Sequence, residues 1–363
     1  MTRRLLVMAG GTGGHVFPGL AVADTLSAKG WTIHWLGTSQ RIEAQIVPKA
    51  GYPITYIDVA GVRGNGLFRL LMAPFKIVCA IFDARKVIKH FQPDVVLGMG
   101  GFASGPGGIA AWMAGKPLLL HEQNAVPGMT NKLLSRIASK VMTGFAHTFA
   151  AQREVKTDPR YQWVGNPVRA AFHALEPKET IQFPLHILVL GGSLGSRPLN
   201  EAVPVALAPL SNYKVRHQCG KGHLAAVEKD YRASKVNGDS WQVEEFVEDM
   251  PAAYQWADLV ICRSGALTVA EVAATGVSAI FIPLPHAVDD HQTKNAQVLV
   301  EADAAYLLPQ EALLNNGLGK ILTLCFAAPQ RLLDMGKRAR AMAKLDAAEQ
   351  VSRCCIELAE QRA

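Results

Sequence analysis

Residues 5–14 read Leu-Leu-Val-Met-Ala-Gly-Gly-Thr-Gly-Gly, and residues 187–195 repeat the pattern as Ile-Leu-Val-Leu-Gly-Gly-Ser-Leu-Gly. In both stretches a short apolar run enters a glycine-rich turn that precedes a longer amphipathic segment. This pattern is typical of a buried parallel strand that leads into a helix. Because it opens each half of the chain, it predicts two similar α/β domains.

Short apolar runs alternate with amphipathic segments through both halves, which predicts two Rossmann-like parallel sheets with helices on both faces. The predicted strands are 4–8, 32–36, 54–57, 95–98, 118–121 and 140–143, and then 187–190, 214–218, 241–244, 259–262, 278–282 and 305–308. We place the domains at residues 1–168 and 169–345. The last helix, residues 346–363, is expected to pack back on the first domain.

The composition limits the class of protein. The chain has 363 residues, of which 49% are hydrophobic, so it can bury a large core. A net charge of +7 favours an anionic partner. The six cysteines lack CxxC spacing and are expected to be reduced thiols that bind no metal. No basic stretch interleaved with aromatic residues is present, so we expect no nucleic-acid partner. No apolar run is long enough to span a bilayer, so any membrane contact should be peripheral.

Three glycine-rich turns, at residues 10–14, 98–108 and 191–195, are candidate phosphate sites. A glycine turn before a helix exposes backbone N–H groups at the positive end of the helix dipole. The alternative is that the glycines allow close packing of helix and strand. A dinucleotide site would need G-x-G-x-x-G and an acidic residue after the second strand, and a Walker NTPase would need G-x-x-x-x-G-K-[ST]. Neither pattern occurs here.

Residues 262–271, Cys-Arg-Ser-Gly-Ala-Leu-Thr-Val-Ala-Glu, read as a strand end, a turn and a helix start. Backbone N–H groups of the turn could face a ligand phosphate. Glu271 lies about one helical turn further on, where its carboxylate could accept hydrogen bonds from both ribose hydroxyls. The alternative is an ordinary glutamate near a helix start.

Together these motifs resemble the MurG family of glycosyltransferases. The resemblance runs through residues 8–19, 98–102, 121–124, 164–169, 191–193 and 262–271. It implies the GT-B architecture, with two Rossmann-like domains facing across a cleft. The acceptor would bind mainly to the N-terminal domain and the donor mainly to the C-terminal domain.

The resemblance also implies a reaction. It is the inverting transfer of N-acetylglucosamine from UDP-N-acetylglucosamine to the C4 hydroxyl of N-acetylmuramic acid in undecaprenyl-pyrophosphoryl-MurNAc-pentapeptide. The family works in peptidoglycan synthesis, without a cofactor, at the cytoplasmic face of the bacterial inner membrane. The alternatives are another GT-B lipid glycosyltransferase, a UDP-sugar epimerase of the same architecture, and a nucleotide-binding scaffold without turnover.

By resemblance, the residues that contact UDP-N-acetylglucosamine are Thr12, Gly13, Gly14, Asn124, Arg169, Ser193, Val247, Ala266, Leu267, Thr268, Val269, Ala270, Glu271 and Gln292. Val247 would read uracil through its backbone, and Gln292 would reach the sugar. Residues 286–292 carry one residue more than the usual family pattern, which affects the placement of Gln292.

His15 is the candidate catalytic base, because an imidazole titrates near neutral pH. Two other roles stay open for His15, capping the helix or binding the acceptor phosphate, and Glu122 is an alternative base. Ser193 and Arg169 would stabilise the leaving diphosphate. No D-x-D motif is present, so we expect no bound metal.

The acceptor carries a diphosphate on a lipid, and the turn at residues 98–108 is the expected site for it, through Gly100, Gly101 and Ser104. The adjoining segment, residues 67–82, is apolar and is flanked by Arg63, Arg69, Lys76, Arg85, Lys86 and Lys89. An apolar surface ringed by cations is suited to an anionic membrane surface. The alternative is an amphipathic helix packed on the sheet.

Overall fold

The structure is a computed structural model that describes residues 2–59, 67–149, 158–192, 194–285 and 288–361, without the side chains of residues 67–73 and 288. The chain forms two compact units. Unit 1 comprises Met1–Arg169 and Lys344–Ala363, and unit 2 comprises Ala170–Ala343.

Unit 1 contains a parallel sheet of seven described strands in the order β3-β2-β1-β4-β5-β6-β7. Its strands are β1 (Arg4–Ala9), β2 (Thr32–Gly37), β3 (Ile54–Tyr56), β4 (Val95–Gly100), β5 (Leu118–Glu122), β6 (Lys140–Thr143) and β7 (Tyr161–Trp163). Its helices are α1 (Gly13–Ala28), α2 (Glu43–Lys49), α3 (Leu67–Phe91), α4 (Ser104–Met113), α5 (Met129–Leu134) and α14 (Ala347–Glu360).

Strand β1 is an interior strand of this sheet, between β2 and β4. This position explains why the opening motif is a continuous apolar run and not an alternation of apolar and polar residues. Leu5 and Val7 point into the core on one face of the sheet, whereas Leu6 and Met8 point into the core on the other. Both faces are therefore covered, as in parallel sheets generally. The first glycine turn therefore begins at the carboxyl end of β1, whose position is fixed by this packing.

The last helix, α14, packs on the unit 1 sheet. Val351, Cys355 and Leu358 belong to the same core cluster as Leu5 and Val7 of β1. Their spacing of three and four residues is that of one buried helix face. Burial of this face attaches the end of the chain to the unit in which the chain begins.

Unit 2 contains a parallel sheet of six described strands in the order β10-β9-β8-β11-β12-β13. Its strands are β8 (Leu185–Leu190), β9 (Tyr213–Gln218), β10 (Trp241–Glu244), β11 (Leu259–Cys262), β12 (Ser278–Phe281) and β13 (Ala305–Leu307). Its helices are α6 (Ala170–His173), α7 (Arg197–Leu207), α8 (Leu224–Ala233), α9 (Met250–Trp256), α10 (Ala266–Thr275), α11 (His291–Glu301), α12 (Gly317–Ala327) and α13 (Pro329–Ala341).

The predicted fold class, α/β with two Rossmann-like parallel sheets, is confirmed. Each predicted strand is present, with ends that differ by two residues or fewer. The sequence prediction missed β7, a three-residue edge strand whose residues Tyr161, Gln162 and Trp163 show no apolar run. Among the described residues, no helix has the length and apolar character needed to cross a membrane.

Candidate active site

The first glycine turn joins β1 to α1 and is held by a buried carboxylate that the sequence analysis missed. Gly11 has φ +89° and donates its N–H to Glu43 Oε2 at 2.9 Å. The other oxygen, Oε1, accepts hydrogen bonds from Thr38 N at 3.1 Å and Thr38 Oγ1 at 2.6 Å. Glu43 is fully buried, and its side chain occupies the space beside Gly37, where a Cβ would lie 2.9 Å from Glu43 Cγ.

His15 connects this turn to the second glycine turn, after β4. Its Nδ1 lies 3.1 Å from Gly10 O and 3.4 Å from Thr12 Oγ1. A carbonyl oxygen only accepts hydrogen bonds, so Nδ1 carries the proton in this contact and Nε2 is the basic nitrogen. The edge of the ring lies against Gly100, where a Cβ would come within 2.9 Å of His15 Cδ2. The structure therefore brings the candidate base and both turns of unit 1 together.

The glycines of the second turn also permit close packing. Gly100 and Gly101 have φ values of +102° and +92°, and a Cβ on Gly101 would overlap the backbone of Gly10. The Ser104 hydroxyl is buried and lies 2.9 Å from Met8 O and 2.8 Å from Gly100 O. Because this hydroxyl faces protein carbonyls, the part of the turn suited to an anion is its backbone at the start of α4.

The end of β5 places two ionisable residues in structural roles. His121 is buried, with Nε2 2.9 Å from Gly165 O, and burial lowers its pKa to about 4. Glu122 accepts hydrogen bonds from Asn124 N at 3.0 Å, Gly128 N at 3.1 Å and Asn131 Nδ2 at 2.9 Å. Donors therefore surround the Glu122 carboxylate, and this contact set favours a structural role over that of a base.

Arg169 is the last residue of unit 1 before the chain enters unit 2. Its guanidinium lies 5.3 Å from the centre of the Phe17 ring, within the range of a cation–π contact. Phe17 is two residues beyond His15 on α1. Arg169 therefore supplies a positive charge near the start of α1.

The glycine turn of unit 2 repeats the packing of unit 1. Gly195 has φ +75°, and a Cβ at this position would overlap Cys219 O after strand β9. Gly220 lies against the same turn, with φ +89°. Ser193, the predicted pyrophosphate contact, lies outside the described residues.

Helix α10 presents the residues predicted to hold phosphate and ribose. Gly265 is its N-cap, and Ala266, Leu267 and Thr268 form its first turn. Glu271 follows on the second turn and is largely buried. Tyr254 donates its hydroxyl to Glu271 Oε2 at 3.4 Å, which orients the carboxylate.

Arg263 is a second residue that the sequence analysis missed. Its guanidinium donates to Ile282 O and Pro283 O at 3.0 Å each, and to Ser196 Oγ and Gln310 Oε1 at 2.8 and 2.7 Å. All four acceptors are neutral, and burial lowers the pKa of Arg263. The side chain ties the end of β11 to the start of α7, so a fixed positive charge lies beside the turn that precedes α10.

The two remaining predicted donor contacts of unit 2 are Val247, on a loop, and Gln292, in the first turn of α11. Val247 is buried after β10, and Asp249 caps the following helix by accepting a hydrogen bond from Ala252 N at 3.0 Å. Gln292 is the second residue of α11, and its Oε1 accepts a hydrogen bond from Leu284 N at 2.8 Å. Before α11, Asp289 and Asp290 have φ values of +58° and +51°. This left-handed backbone lies within residues 286–292, the segment that is one residue longer than the usual family pattern.

The described residues contain no cluster of three or more His, Cys, Asp or Glu side chains that could hold a metal ion.

The lowered pKa values of two buried histidines predict how the free energy of unfolding depends on pH. His217 lies 3.0 Å from Tyr231 Oη and 3.1 Å from Asn200 Oδ1, and burial lowers its pKa to about 3. His121 and His217 are neutral when folded but take up protons below pH 6.5 when unfolded. Stability should therefore be unaffected above pH 6.5 and should fall by about 2 kcal/mol per histidine between pH 6.5 and 5.

Urea unfolding between pH 7.5 and 5 measures this dependence. His217→Gln should give a shallower loss of unfolding free energy than the wild type, whereas His223→Gln, on a partly exposed residue, should keep the wild-type slope. Equal slopes for wild type and His217→Gln would contradict the assignment.

Two family models match this chain, one largely within each of its two units. The model of the glycosyltransferase family 28 N-terminal domain matches residues 5–143, and that of the family 28 C-terminal domain matches residues 186–351. The chain belongs to glycosyltransferase family 28. The expectation of a glycosyltransferase is thereby confirmed.

Family 28 relatives are similar over their full length. The UDP-N-acetylglucosamine--N-acetylmuramyl-(pentapeptide) pyrophosphoryl-undecaprenol N-acetylglucosamine transferase of Pseudoalteromonas atlantica is 63% identical over 370 residues, covering 99% of this chain and 97% of the relative. The Aeromonas hydrophila protein of the same name is 56% identical over 362 residues, covering 99% and 98%.

Solved structures agree with this family 28 assignment. The crystal structure of MurG from Acinetobacter baumannii has a TM-score of 0.83 and 41% identity, covering 98% of this chain and 99% of that one. This similarity confirms the resemblance to the MurG family and the GT-B fold class. A UDP-N-acetylglucosamine 2-epimerase reaches a TM-score of 0.70 at 13% identity, covering 100% and 98%, and shares the fold alone.

Proposed function

We propose that this chain transfers N-acetylglucosamine from UDP-N-acetylglucosamine to the C4 hydroxyl of the muramyl sugar in undecaprenyl-pyrophosphoryl-MurNAc-pentapeptide, with inversion. The observation that carries the proposal is the 63% identity, along almost the whole of both chains, with a transferase named for this reaction. The paired glycine turns agree with it, because donor and acceptor each contain a diphosphate and each unit has a glycine turn that precedes a helix.

In unit 2 we assign the donor nucleotide to the turn at Ser193 and to the start of α10. Backbone N–H groups of Ala266, Leu267 and Thr268 point out of the helix end and suit a phosphate. Glu271 is oriented by Tyr254 and accepts from the ribose hydroxyls. Val269 and Ala270, which lie between Thr268 and Glu271 on this helix, complete the donor-binding segment. Val247 reads uracil, and Gln292 reaches the sugar.

In unit 1 we assign Thr12, Gly13, Gly14, Asn124 and Arg169 to UDP-N-acetylglucosamine. Arg169 and the helix N-termini stabilise the negative charge that develops on the leaving UDP, so that the reaction proceeds without a metal ion or cofactor.

The acceptor diphosphate is assigned to the backbone at Gly100, Gly101 and Ser104. This turn touches His15, whose Nε2 is the basic nitrogen. His15 therefore lies beside the acceptor turn, where it removes the proton from the attacking sugar hydroxyl.

Turnover by the full chain tests the proposed function. Purified protein with UDP-N-acetylglucosamine and the lipid-linked muramyl pentapeptide should release UDP and form a disaccharide product in equal amounts. With diacylglycerol offered as a second acceptor, an N-acetylglucosaminyl diacylglycerol product would indicate another lipid glycosyltransferase. Free UDP without any acceptor would indicate an epimerase. Weak turnover of UDP-N-acetylgalactosamine is expected from the placement of Gln292 at the sugar.

We place the enzyme at the cytoplasmic face of the inner membrane, bound peripherally through α3. Ala84 and Ile88 on one face of this helix are buried in the core. Phe75, Val78 and Phe82 point outward and are 64%, 48% and 55% exposed. The exposed cations Lys76, Arg85, Lys86 and Lys89 lie on the same helix. Apolar side chains among cations suit an anionic lipid surface. Arg63 lies outside the described residues, as does the side chain of Arg69.

Charge reversal on α3 should weaken membrane binding. Each cation near an anionic surface contributes about 1 kcal/mol, so the double variant Lys76→Glu/Arg85→Glu should bind vesicles with anionic lipid at least about 30-fold more weakly. Co-sedimentation with phosphatidylglycerol vesicles measures the change. The double variant Lys229→Glu/Lys320→Glu changes two exposed lysines of unit 2 by the same net charge and should bind as the wild type does. Equal losses for both variants would contradict the assignment to α3.

A further inference from the structure

Glu43 and His15 contact opposite ends of one peptide group. The peptide between Gly10 and Gly11 has its N–H on Gly11 and its C=O on Gly10. Its N–H donates to Glu43 Oε2 at 2.9 Å, and its C=O lies 3.1 Å from His15 Nδ1. The sequence of contacts is therefore carboxylate, peptide N–H, peptide C=O and imidazole Nδ1–H.

The Glu43 side chain is an acceptor in each of these contacts. The N–H groups of Gly11 and Thr38 can only donate, so they fix Oε2 and Oε1 as acceptors. This arrangement is that of an ionised carboxylate. Glu43 is fully buried, and the glycines at positions 10 and 37 leave the space that its side chain fills. The carboxylate is thus built into the turn.

A carboxylate that accepts a hydrogen bond from the N–H of a peptide group polarises the C=O of the same group. Hydrogen bonds in a chain strengthen one another by about 10–30% each. The Gly10 carbonyl becomes a better acceptor for Nδ1–H, which fixes the tautomer with its lone pair on Nε2. The same negative charge favours the imidazolium that forms when Nε2 takes a proton.

We propose that Glu43 is a positioning residue for the proposed transferase reaction, which holds His15 as the Nδ1–H tautomer and increases its basicity through the Gly10–Gly11 peptide. The inference rests on the proposed function of His15 as the base.

The other charged groups described around this turn make contacts of their own. Arg41, on the loop before α2, lies 5.8 Å from the centre of the Phe102 ring. Arg169 lies over Phe17 on α1. On β5, burial keeps His121 neutral near pH 7, and Glu122 is bound by neighbouring N–H groups. Of the described carboxylates around the turn, Glu43 is the one bonded to the peptide that His15 contacts.

The test compares Glu43→Gln with Thr38→Val. Glu43→Gln keeps the shape of the side chain but removes the charge. It should lower kcat roughly tenfold, change the KM for UDP-N-acetylglucosamine less than about twofold, and move the acidic limb of the kcat–pH profile down by roughly 0.5–1 pH unit. Thr38→Val removes only the hydroxyl that donates to Oε1, and should leave that limb in place. An unmoved limb in Glu43→Gln, or an equal movement in Thr38→Val, would overturn the proposal.

A second measurement needs no variant of Glu43. In the wild-type chain labelled with ¹⁵N-histidine, the imidazole spectrum should show His15 with a protonated Nδ1, its signal being the one of eleven that is missing in His15→Gln. A protonated Nε2 would overturn the inference even if Glu43→Gln does not fold. An inactive wild type that still shows the Nδ1–H tautomer would refute the proposed reaction and leave the peptide link standing.

Discussion

Replacing His15 by alanine is expected to lower kcat by about 10²–10⁴-fold, with little change in the KM for UDP-N-acetylglucosamine. The sugar hydroxyl of the acceptor must lose its proton as it attacks the anomeric carbon. His15 has Nδ1 occupied by Gly10 O, so Nε2 is the nitrogen that can accept this proton. A coupled assay of UDP release gives both constants.

The matched variant is His15→Asn. Its side-chain amide can still donate to the Gly10 carbonyl, but it has no basic nitrogen. If His15 only capped the turn or held acceptor phosphate by a hydrogen bond, His15→Asn would recover most of the wild-type kcat. If His15 is the base, both variants should be similarly slow. Activity of both variants near the wild-type level would exclude His15 as the base and return attention to Glu122.

The substitution Gly101→Ala is expected to be strongly destabilising, by about 2–5 kcal/mol. Gly101 has φ +92°, a conformation that costs a residue with a Cβ roughly 1–2 kcal/mol. The added methyl group would also overlap the backbone of Gly10, and overpacking against backbone adds about 1–3 kcal/mol. Scanning calorimetry should show the melting temperature of unit 1 falling by roughly 10 °C.

Gly11→Ala separates these two contributions. Gly11 has a similar φ of +89°, but nothing lies within 4 Å of where its Cβ would be. This variant should therefore show only the backbone cost, about 1–2 kcal/mol, and a fall of roughly 4 °C. Equal losses for the two variants would mean that the close approach of the two turns contributes nothing to stability.

The contrast between the two glycines bears on why unit 1 has so many of them. Sequence analysis left two explanations open, phosphate binding and close packing. Gly101 has a packing reason of its own, because its Cα lies against Gly10. Gly11 has no neighbour in its Cβ direction within 4 Å, so ligand approach or backbone conformation accounts for it. Close packing therefore explains Gly101 of the second turn but does not explain Gly11 of the first turn.

Most of the fold follows from local patterns. The strands at the centre of each sheet are buried on both faces, so they appear as apolar runs such as residues 5–9 and 187–190. Strand β7 was missed because an edge strand needs no such run, and Tyr161, Gln162 and Trp163 are all partly or largely exposed. The glycine turns were found because a close approach or a positive φ leaves glycine as the favoured residue.

The sequence by itself determined two α/β units, the positions of their glycine turns and the family, because burial and backbone geometry restrict residue types at short spacing. Only the tertiary structure revealed the roles of Glu43 and Arg263. Glu43 lies 32 residues from Gly11 in the chain, and Arg263 lies 67 residues from Ser196. Glutamate and arginine are common on loops, so no local pattern distinguishes them. Their roles follow from hydrogen bonds that form when separate strands end at the same edge of a sheet.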